Sequence, residues 1–392
     1  MAGSVILAGA RTPIGKLSGA LGGFKATDLG GFAIKAALER AGVAPDQVDY
    51  VFMGQVLQAG SGQIAARQAA VNAGVPMTVP ATTVNKVCLS GLNAIFLADL
   101  LIQSGAAEIV VAGGMESMTQ APYLLPGARE GYRLGDKSVI DSMMYDGLFC
   151  AFDQVAMGAG TEKYAASAGL PREPQDDLAA KSHERASAAI KEGRFADEIV
   201  PVEVPQRRGD PLVVDTDEGV RPGTTVESLG ALRPAFDKAG NITAGNASQI
   251  SDGGAAVIVT SKTAAEGLGT RPLGEIVGYG QVAGPDPSLL TQPSRAIDAA
   301  LESAGKAVGD VDLFELNEAF AAVGLVSMSD LGITDDVVNV NGGAIALGHP
   351  IGMSGTRLAL SLLLELGRRG GGLGAAALCG GGGQGDAILL SV

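Results

Sequence analysis

The stretches AIKAALERAGVAPDQVD, residues 33–49, and AIDAALESAGKAVGDVD, residues 296–312, are two versions of one segment. Eleven of their seventeen positions are identical, at a constant offset of 263. Each reads as a helix with apolar residues three and four apart, closed by a glycine (Gly42, Gly305) and followed by a strand, YVFMG or LFELN. The parallel continues at an offset of 264. SGLNAIFLADLLIQSG from Ser90 matches SGTRLALSLLLELGRRG from Ser354, and each is followed by an apolar strand, AEIVVAGGM or GLGAAALCG. A register kept this long points to internal duplication. Strands alternating with helices predict an α/β fold of two βαβ-rich halves with mainly parallel sheets, related by a pseudo-twofold axis.

Working outward, residues 119–248 differ in character: they hold most of the prolines, charge-rich runs and the cluster YLLPGAREGYRLGD. They read as an inserted loop domain that covers a site or contacts another subunit. The first half is then 1–118 with 249–270, where AAVIVTS returns a strand to it, and the second is 271–392.

The chain has 392 residues, 46% of them hydrophobic, a mean hydropathy of +0.26 and a net charge of −14. That is a globular composition with a field that repels nucleic acid, though arginines such as Arg207, Arg208 and Arg221 leave room for a small anionic ligand. Three dispersed cysteines without a CxxC spacing indicate neither a disulfide framework nor a zinc site, and fit a reducing cytoplasm. No stretch reaches the roughly 18 apolar residues of a membrane span.

The copies differ where chemistry is expected. Cys88 stands two residues before Ser90-Gly91. In the second copy about ten additional residues, including GGAIALGHP, precede Ser354-Gly355 and carry His349. The two residues therefore precede equivalent helix N-termini, which a twofold axis could bring face to face. A helix N-terminus is expected to lower the Cys88 pKa and to keep a nearby imidazole neutral, able to take the thiol proton. Taken alone, Cys88 reads as a small core side chain; its placement opposite His349 favours a nucleophile. His183, in the charged run KSHERAS, reads as a solvated surface residue, and Cys150 as structural.

Cys379 ends a strand at four glycines, Gly380–Gly383, and matches Met115 of the first copy. The run lacks the Gly-Lys-Ser/Thr ending of a phosphate loop and the following helix of a dinucleotide fingerprint. Unshielded glycine amides beside a thiol suit an oxyanion hole instead.

The motifs TVNKVCLSGLNAI, GGMESMT, ELNEAFAA, NVNGGAIALGHPIGMSGTR and CGGGGQGD, in this order, resemble the thiolase family, and more narrowly its biosynthetic acetyl-CoA acetyltransferase branch. The resemblance spans the chain, including APYLLPGAR and RPAFDKAGNITAGNAS. It implies a five-layer αβαβα core of two halves with an inserted loop domain, and condensation of two acetyl-CoA to acetoacetyl-CoA and CoA, reversible as thiolysis. It assigns Cys88 as nucleophile, His349 as its base and Cys379 as the α-carbon base. One oxyanion hole comes from the backbone N–H groups of Cys88 and Gly381, the other from His349 with a water held by Asn317, whose counterpart in the first copy is Gly54. Glu318 reads as a structural hydrogen-bonding residue. Coenzyme A is expected at Leu148, Met157, Arg221, Ser228, Phe236, Ala244, Ser248 and Phe320. The resemblance implies no metal or redox cofactor, and a homotetramer assembled through the YLLPGAREGYRLGD stretch.

Two departures bear on acyl-chain preference: Ala156, where relatives often carry His, and Leu89, where Gly or Ala is common. The alternatives are a broader 3-ketoacyl-CoA thiolase, a non-catalytic acyl-CoA binder, and a decarboxylating ketosynthase, which generally needs a second active-site histidine or a related partner.

Overall fold

A computed structural model describes residues 3–392. The first half contains β1 (Ser4–Arg11), α1 (Ala26–Ala41), β2 (Tyr50–Gly54), α2 (Ala65–Asn72), β3 (Ala81–Val84), α3 (Ser90–Gln103) and β4 (Ile109–Ser117). The following segment supplies α4 (Met157–Ser167), α5 (Arg172–Lys191) and three small hairpins, and then β5 (Ser251–Ser261). The second half adds β6 (Gly274–Ala283), α6 (Gln292–Ala304), β7 (Leu313–Leu316), α7 (Ala321–Leu331), α8 (Ser354–Arg368), β8 (Leu373–Gly380) and β9 (Gln384–Ser391).

The strands run β3-β2-β4-β5-β1 in the first half and β6-β9-β8-β7 in the second, the same order with its direction reversed. They meet where Val5 and Ile6 of β1 pair with Glu275 and Gly274 of β6. A bridge from Phe314 to Val338 stands where the fifth strand of the second half is expected. The pairing is mixed and not mainly parallel. Only β2 with β3, β2 with β4, and β7 with β8 are parallel, while β5 lies antiparallel to β1 and β4, and β9 antiparallel to β6 and β8. The reason is connectivity: a helix crossover enforces parallel neighbours, but β8 and β9 are joined by the glycine turn, which enforces a hairpin.

Three apolar clusters mark the layers. One lies beneath α1 and α2 on the outer face of the first sheet, one between the two sheets around α3 and α8, and one beneath α6 and α7 on the outer face of the second. Being covered on both sides, α8 is buried almost throughout, from Ser354 to Leu363 without interruption. Gly42 and Gly305 end α1 and α6 in the left-handed conformation, at φ 66° and 64°.

The helix N-termini of the two copies do face each other. A Cβ on Gly91 would stand 2.8 Å from Thr356 Oγ1, and Thr356 Oγ1 donates to the Gly91 carbonyl at 3.1 Å. A Cβ on Gly355 would overlap the Leu92 backbone nitrogen. The two Ser-Gly pairs are thus the contact at which α3 and α8 meet, and the turns before them, with Cys88 and His349, converge.

Candidate active site

Strand β3 ends at Val84, and a tight turn follows. Val87 adopts φ 51°, a conformation a β-branched residue reaches only when its surroundings impose it. Asn85 Oδ1 accepts the Val87 N–H at 3.1 Å, Ser90 Oγ donates to the Val87 carbonyl at 2.5 Å, and the Leu89 N–H reaches the Lys86 carbonyl at 3.2 Å. This turn presents Cys88, half-buried among Val56, Leu57, Met118 and Ile351.

His349 follows the short helix Ala344–Leu347 and is buried. Its N–H is held by the Gln249 carbonyl at 3.1 Å and Ser251 Oγ at 3.2 Å. Its Nδ1 lies 2.6 Å from Ser354 Oγ, which donates its own hydrogen to the Pro350 carbonyl at 3.0 Å. With that hydrogen committed, the hydroxyl accepts from Nδ1–H, and the lone pair is left on Nε2. Asn317 Nδ2 points at Nε2 from 3.3 Å, while Asn317 Oδ1 is buried with no partner. A Cβ on Gly54, the counterpart of Asn317, would stand 2.7 Å from the Gly352 carbonyl oxygen, so the first copy has no room for a side chain there.

Cys379 is fully buried at the end of β8, beside Phe320, Ala319 and Met157. The glycine run is the β8–β9 turn: Gly382 and Gly383 take φ 83° and 68°, and a Cβ on Gly380 would press on Leu89 Cγ at 2.7 Å. Burial pushes the Cys88 thiol up to about 12; the N–H groups of Cys88 and Gly381 draw it back, and Glu116 pushes it further up. The helix N-terminus therefore does not produce a resting thiolate, because desolvation outweighs it. Cys379 is raised as well, by burial first and then by Cys88, which places the two sulfurs within electrostatic reach. Burial, with Arg357, lowers His349 to about 3. Thiols and imidazole are all neutral at rest.

A cleft of about 500 Å³ leads to this group. His349 lines it, with Met118, Ile351 and Phe320. Leu148, Met157, Ala244 and Ser248 form its walls, and Arg221 and Lys16 bring cationic side chains to it. The Phe236 ring stands edge-on to Phe320, with centroids 6.4 Å apart, and lies where any side chain on Gly158 would be.

The remaining singled-out residues fall as follows. Ser228 is exposed, and its hydroxyl accepts the Thr225 N–H at 3.0 Å in a capping box. Arg207 and Arg208 lie on an exposed hairpin turn away from the cleft. Leu89 is 0% exposed and packs between the sheets, whereas Ala156 does line the cleft. His183 is 3% exposed, not solvated; its Nδ1 accepts the Arg221 N–H at 3.1 Å, and burial lowers it to about 4. Glu318 accepts hydrogen bonds from Ser182 Oγ, Asn339 Nδ2 and the Ile345 N–H at 2.7–3.0 Å, as a structural carboxylate does. Cys150 is buried, its sulfur accepting the Asp153 N–H at 3.3 Å.

Two residues were missed by sequence reasoning. One is Ser354, whose signal is its place at the start of α8, five residues after His349. The other is Glu116, whose buried carboxylate accepts the N–H groups of Val56, Leu57 and Gly352 and is raised by burial to about 7. Among the described residues no cluster of three or more His, Cys, Asp or Glu could hold a metal, and no helix is long and apolar enough to cross a membrane.

The chain matches the family model for the thiolase N-terminal domain over residues 4–263 and that for the thiolase C-terminal domain over 270–392. It is 58% identical to a probable acetyl-CoA acetyltransferase of Mycolicibacterium smegmatis, covering 98% of this chain and all of that protein. It is 52% identical to the acetyl-CoA acetyltransferase of Cupriavidus necator, over 98% of each. The crystal structure of the Bacillus anthracis acetyl-CoA acetyltransferase superposes with a TM-score of 0.97 at 40% identity, covering 100% of this chain and 99% of that one.

Proposed function

The chain belongs to the thiolase family and is an acyltransferase, and we propose that it condenses two acetyl-CoA molecules to acetoacetyl-CoA and CoA, and runs the reverse thiolysis. The observation that carries this reading is the buried Asn317–His349 pair: an imidazole Nε2 that meets the Asn317 amide N–H and an unpartnered amide oxygen, beside the cleft that His349 lines.

In the first half-reaction Cys88 Sγ attacks the thioester carbonyl while its proton passes to His349 Nε2. The oxyanion forms against the N–H groups of Cys88 and Gly381. Collapse breaks the carbonyl–sulfur bond, His349 returns the proton to the departing CoA thiolate, and acetyl-Cys88 remains. A second acetyl-CoA then enters. Cys379 passes its thiol proton to His349 Nε2 and, as the thiolate, removes the α-proton; the enolate oxygen is stabilised by the protonated His349 and a water on Asn317 Oδ1, and the carbanion attacks acetyl-Cys88. Collapse releases acetoacetyl-CoA and the Cys88 sulfur, which takes the proton from His349, while Cys379 keeps the α-proton, so all three groups return to their neutral state. The cycle balances without a metal or redox cofactor.

Neutral groups suit these steps. A base held near 3 and a thiol near 12 exchange a proton only as the carbonyl is attacked, so neither an exposed thiolate nor an imidazolium waits in the free enzyme. The coenzyme arm is read along Leu148, Met157, Ala244 and Ser248, with Arg221 near its phosphates and Phe236 and Phe320 against its apolar parts.

The test is kcat/KM across acetoacetyl-CoA and longer 3-ketoacyl-CoAs, with mass spectrometry of the acylated cysteine. A tenfold preference for longer chains, about 1.4 kcal/mol in transition-state binding, assigns a broad 3-ketoacyl-CoA thiolase instead. Ala156 in the cleft wall is the observation on that side. We read the protein as a cytoplasmic homotetramer of lipid metabolism. The support for assembly is an arm that exposes Tyr123, Leu125, Tyr132, Leu134 and Val139, with Leu134 101% exposed. A monomer in light scattering removes that inference.

A further inference from the structure

We propose that Lys86 and Asp386 form an inter-half clamp that aligns the two backbone donors of the acyl-transfer oxyanion hole, and that both are therefore positioning residues for Cys88 chemistry. The inference rests on the proposed acyl-transfer reading and deepens it.

The two donors belong to different halves. Cys88 N–H lies in the turn before α3, and Gly381 N–H lies in the β8–β9 turn, nearly 300 residues away along the chain. Their relative placement must come from contacts between those turns. Lys86, two residues before Cys88, places Nζ 2.7 Å from Oδ1 of Asp386, five residues after Gly381. Tyr279 of β6 donates its hydroxyl to the other oxygen, Oδ2, at 2.8 Å, and its ring stacks on Phe96 of α3 with centroids 4.2 Å apart. Gln281 Nε2 lies 3.5 Å from Oδ1. The carboxylate is fixed at both oxygens and joins α3, β6, β9 and the Cys88 turn.

The pair stands where apolar packing would serve stability as well. The Asp386 side chain is 0% exposed and that of Lys86 21%, and a buried ion pair is rarely more stabilising than apolar residues of the same volume. What apolar residues do not supply is direction. Val87, between Lys86 and Cys88, holds a left-handed φ of 51°, and such a residue stays in place only when both its ends are fixed. The Lys86 N–H is held by Ser90 Oγ at 2.9 Å, and its ammonium by Asp386. The two turns also touch: a Cβ on Gly381 would stand 3.4 Å from Val87 Cγ1. Releasing the clamp lets the Val87–Cys88 turn relax away from Gly381, and the oxyanion hole loses the alignment of one donor.

The experiment compares wild type with Lys86→Met, Asp386→Asn, the double variant and Lys86→Arg. Two readouts are taken: kcat and KM for thiolysis of acetoacetyl-CoA, and the rate at which iodoacetamide alkylates Cys88 at pH 8.5. Misaligning one oxyanion donor predicts kcat lower by about 10- to 100-fold in each single variant, with KM within about twofold. The double variant loses no more than the worse single, and Lys86→Arg stays within about threefold of wild type. Alkylation separates positioning from simple charge. Removing the Asp386 charge by Coulomb attraction alone speeds alkylation, whereas loss of N–H support to the sulfur slows it in Asp386→Asn by about threefold or more.

A kcat within twofold of wild type in Lys86→Met overturns the proposal, as do multiplicative losses in the double variant or faster alkylation in Asp386→Asn. Should Asp386→Asn not fold, Lys86→Met decides alone, since its side chain is partly exposed. Alkylation needs no thioester. A wild type whose Cys88 is alkylated, and slowed by the clamp variants, but which does not turn over acetoacetyl-CoA therefore refutes the proposed activity and leaves the clamp standing.

Discussion

Ser354→Ala isolates the hydroxyl that sets the His349 tautomer. In the wild type Ser354 Oγ takes the Nδ1–H at 2.6 Å and donates to the Pro350 carbonyl at 3.0 Å. Deleting it does not orphan that carbonyl, which also accepts the N–H groups of Met353 at 2.9 Å and Ser354 at 3.0 Å. The loss falls on the imidazole. A buried Nδ1–H without an acceptor costs about 1–3 kcal/mol. The ring avoids that cost by moving its proton to Nε2, and the unpartnered Asn317 Oδ1 can accept the new N–H once the amide turns over. In that tautomer His349 cannot take the Cys88 proton. The base-competent fraction falls about 5- to 150-fold. Rapid-quench acetylation by acetyl-CoA, followed by mass spectrometry of the Cys88 peptide, should show this factor in the acetylation rate, with acetyl-CoA affinity unchanged because the cleft walls are untouched. A loss below twofold, or one confined to affinity, refutes the tautomer argument.

Because burial raises the Cys88 thiol to about 12, its thiolate falls about tenfold for each pH unit below that value. Iodoacetamide alkylation of Cys88 should therefore climb about tenfold per unit from pH 6 to 10, while acetylation by acetyl-CoA, which uses the neutral pair, stays flat from pH 6 to 9; an alkylation plateau below pH 9 contradicts this. Cys88→Ser should form no acetyl-enzyme, whereas Cys379→Ser should acetylate normally and lose condensation by at least about 100-fold; normal condensation by the second variant ends the two-thiol mechanism. Gly114→Ala drives a methyl group into the Gly352 carbonyl and should destabilise the fold by about 2–3 kcal/mol, read from the urea midpoint. A change under about 0.5 kcal/mol means the loop yields more easily than its packing implies.

The duplication carried most of what could be read without coordinates. The repeated helix-glycine-strand pattern fixes two similar halves, and the paired Ser-Gly helix starts place Cys88 and His349 together. Pairing direction was misread because only helix-linked strands obey the crossover rule. His183 was misread from its charged neighbours, although Ala179, His183 and Ala186 recur at helical spacing and share a buried face. The thiol pKa was misread because a helix start is visible in a sequence and desolvation is not. The Lys86–Asp386 pair and the Val87 backbone had no local signal: one joins residues 300 apart, and the other is imposed from outside.

The crowding around Gly352 explains why a duplicated molecule has one centre instead of two. Its carbonyl fills the space above Gly54, the counterpart of Asn317, and above Gly114, the neighbour of Met115, which is the counterpart of Cys379. Met115, the match of Cys379, is packed beneath Gly30 of α1. The second half has in effect plugged its twin: the loop that delivers His349 to one place closes the mirror-related place. Installing a cysteine at Met115 would leave a thiol sealed under a helix, and symmetry alone could not wake a second catalyst.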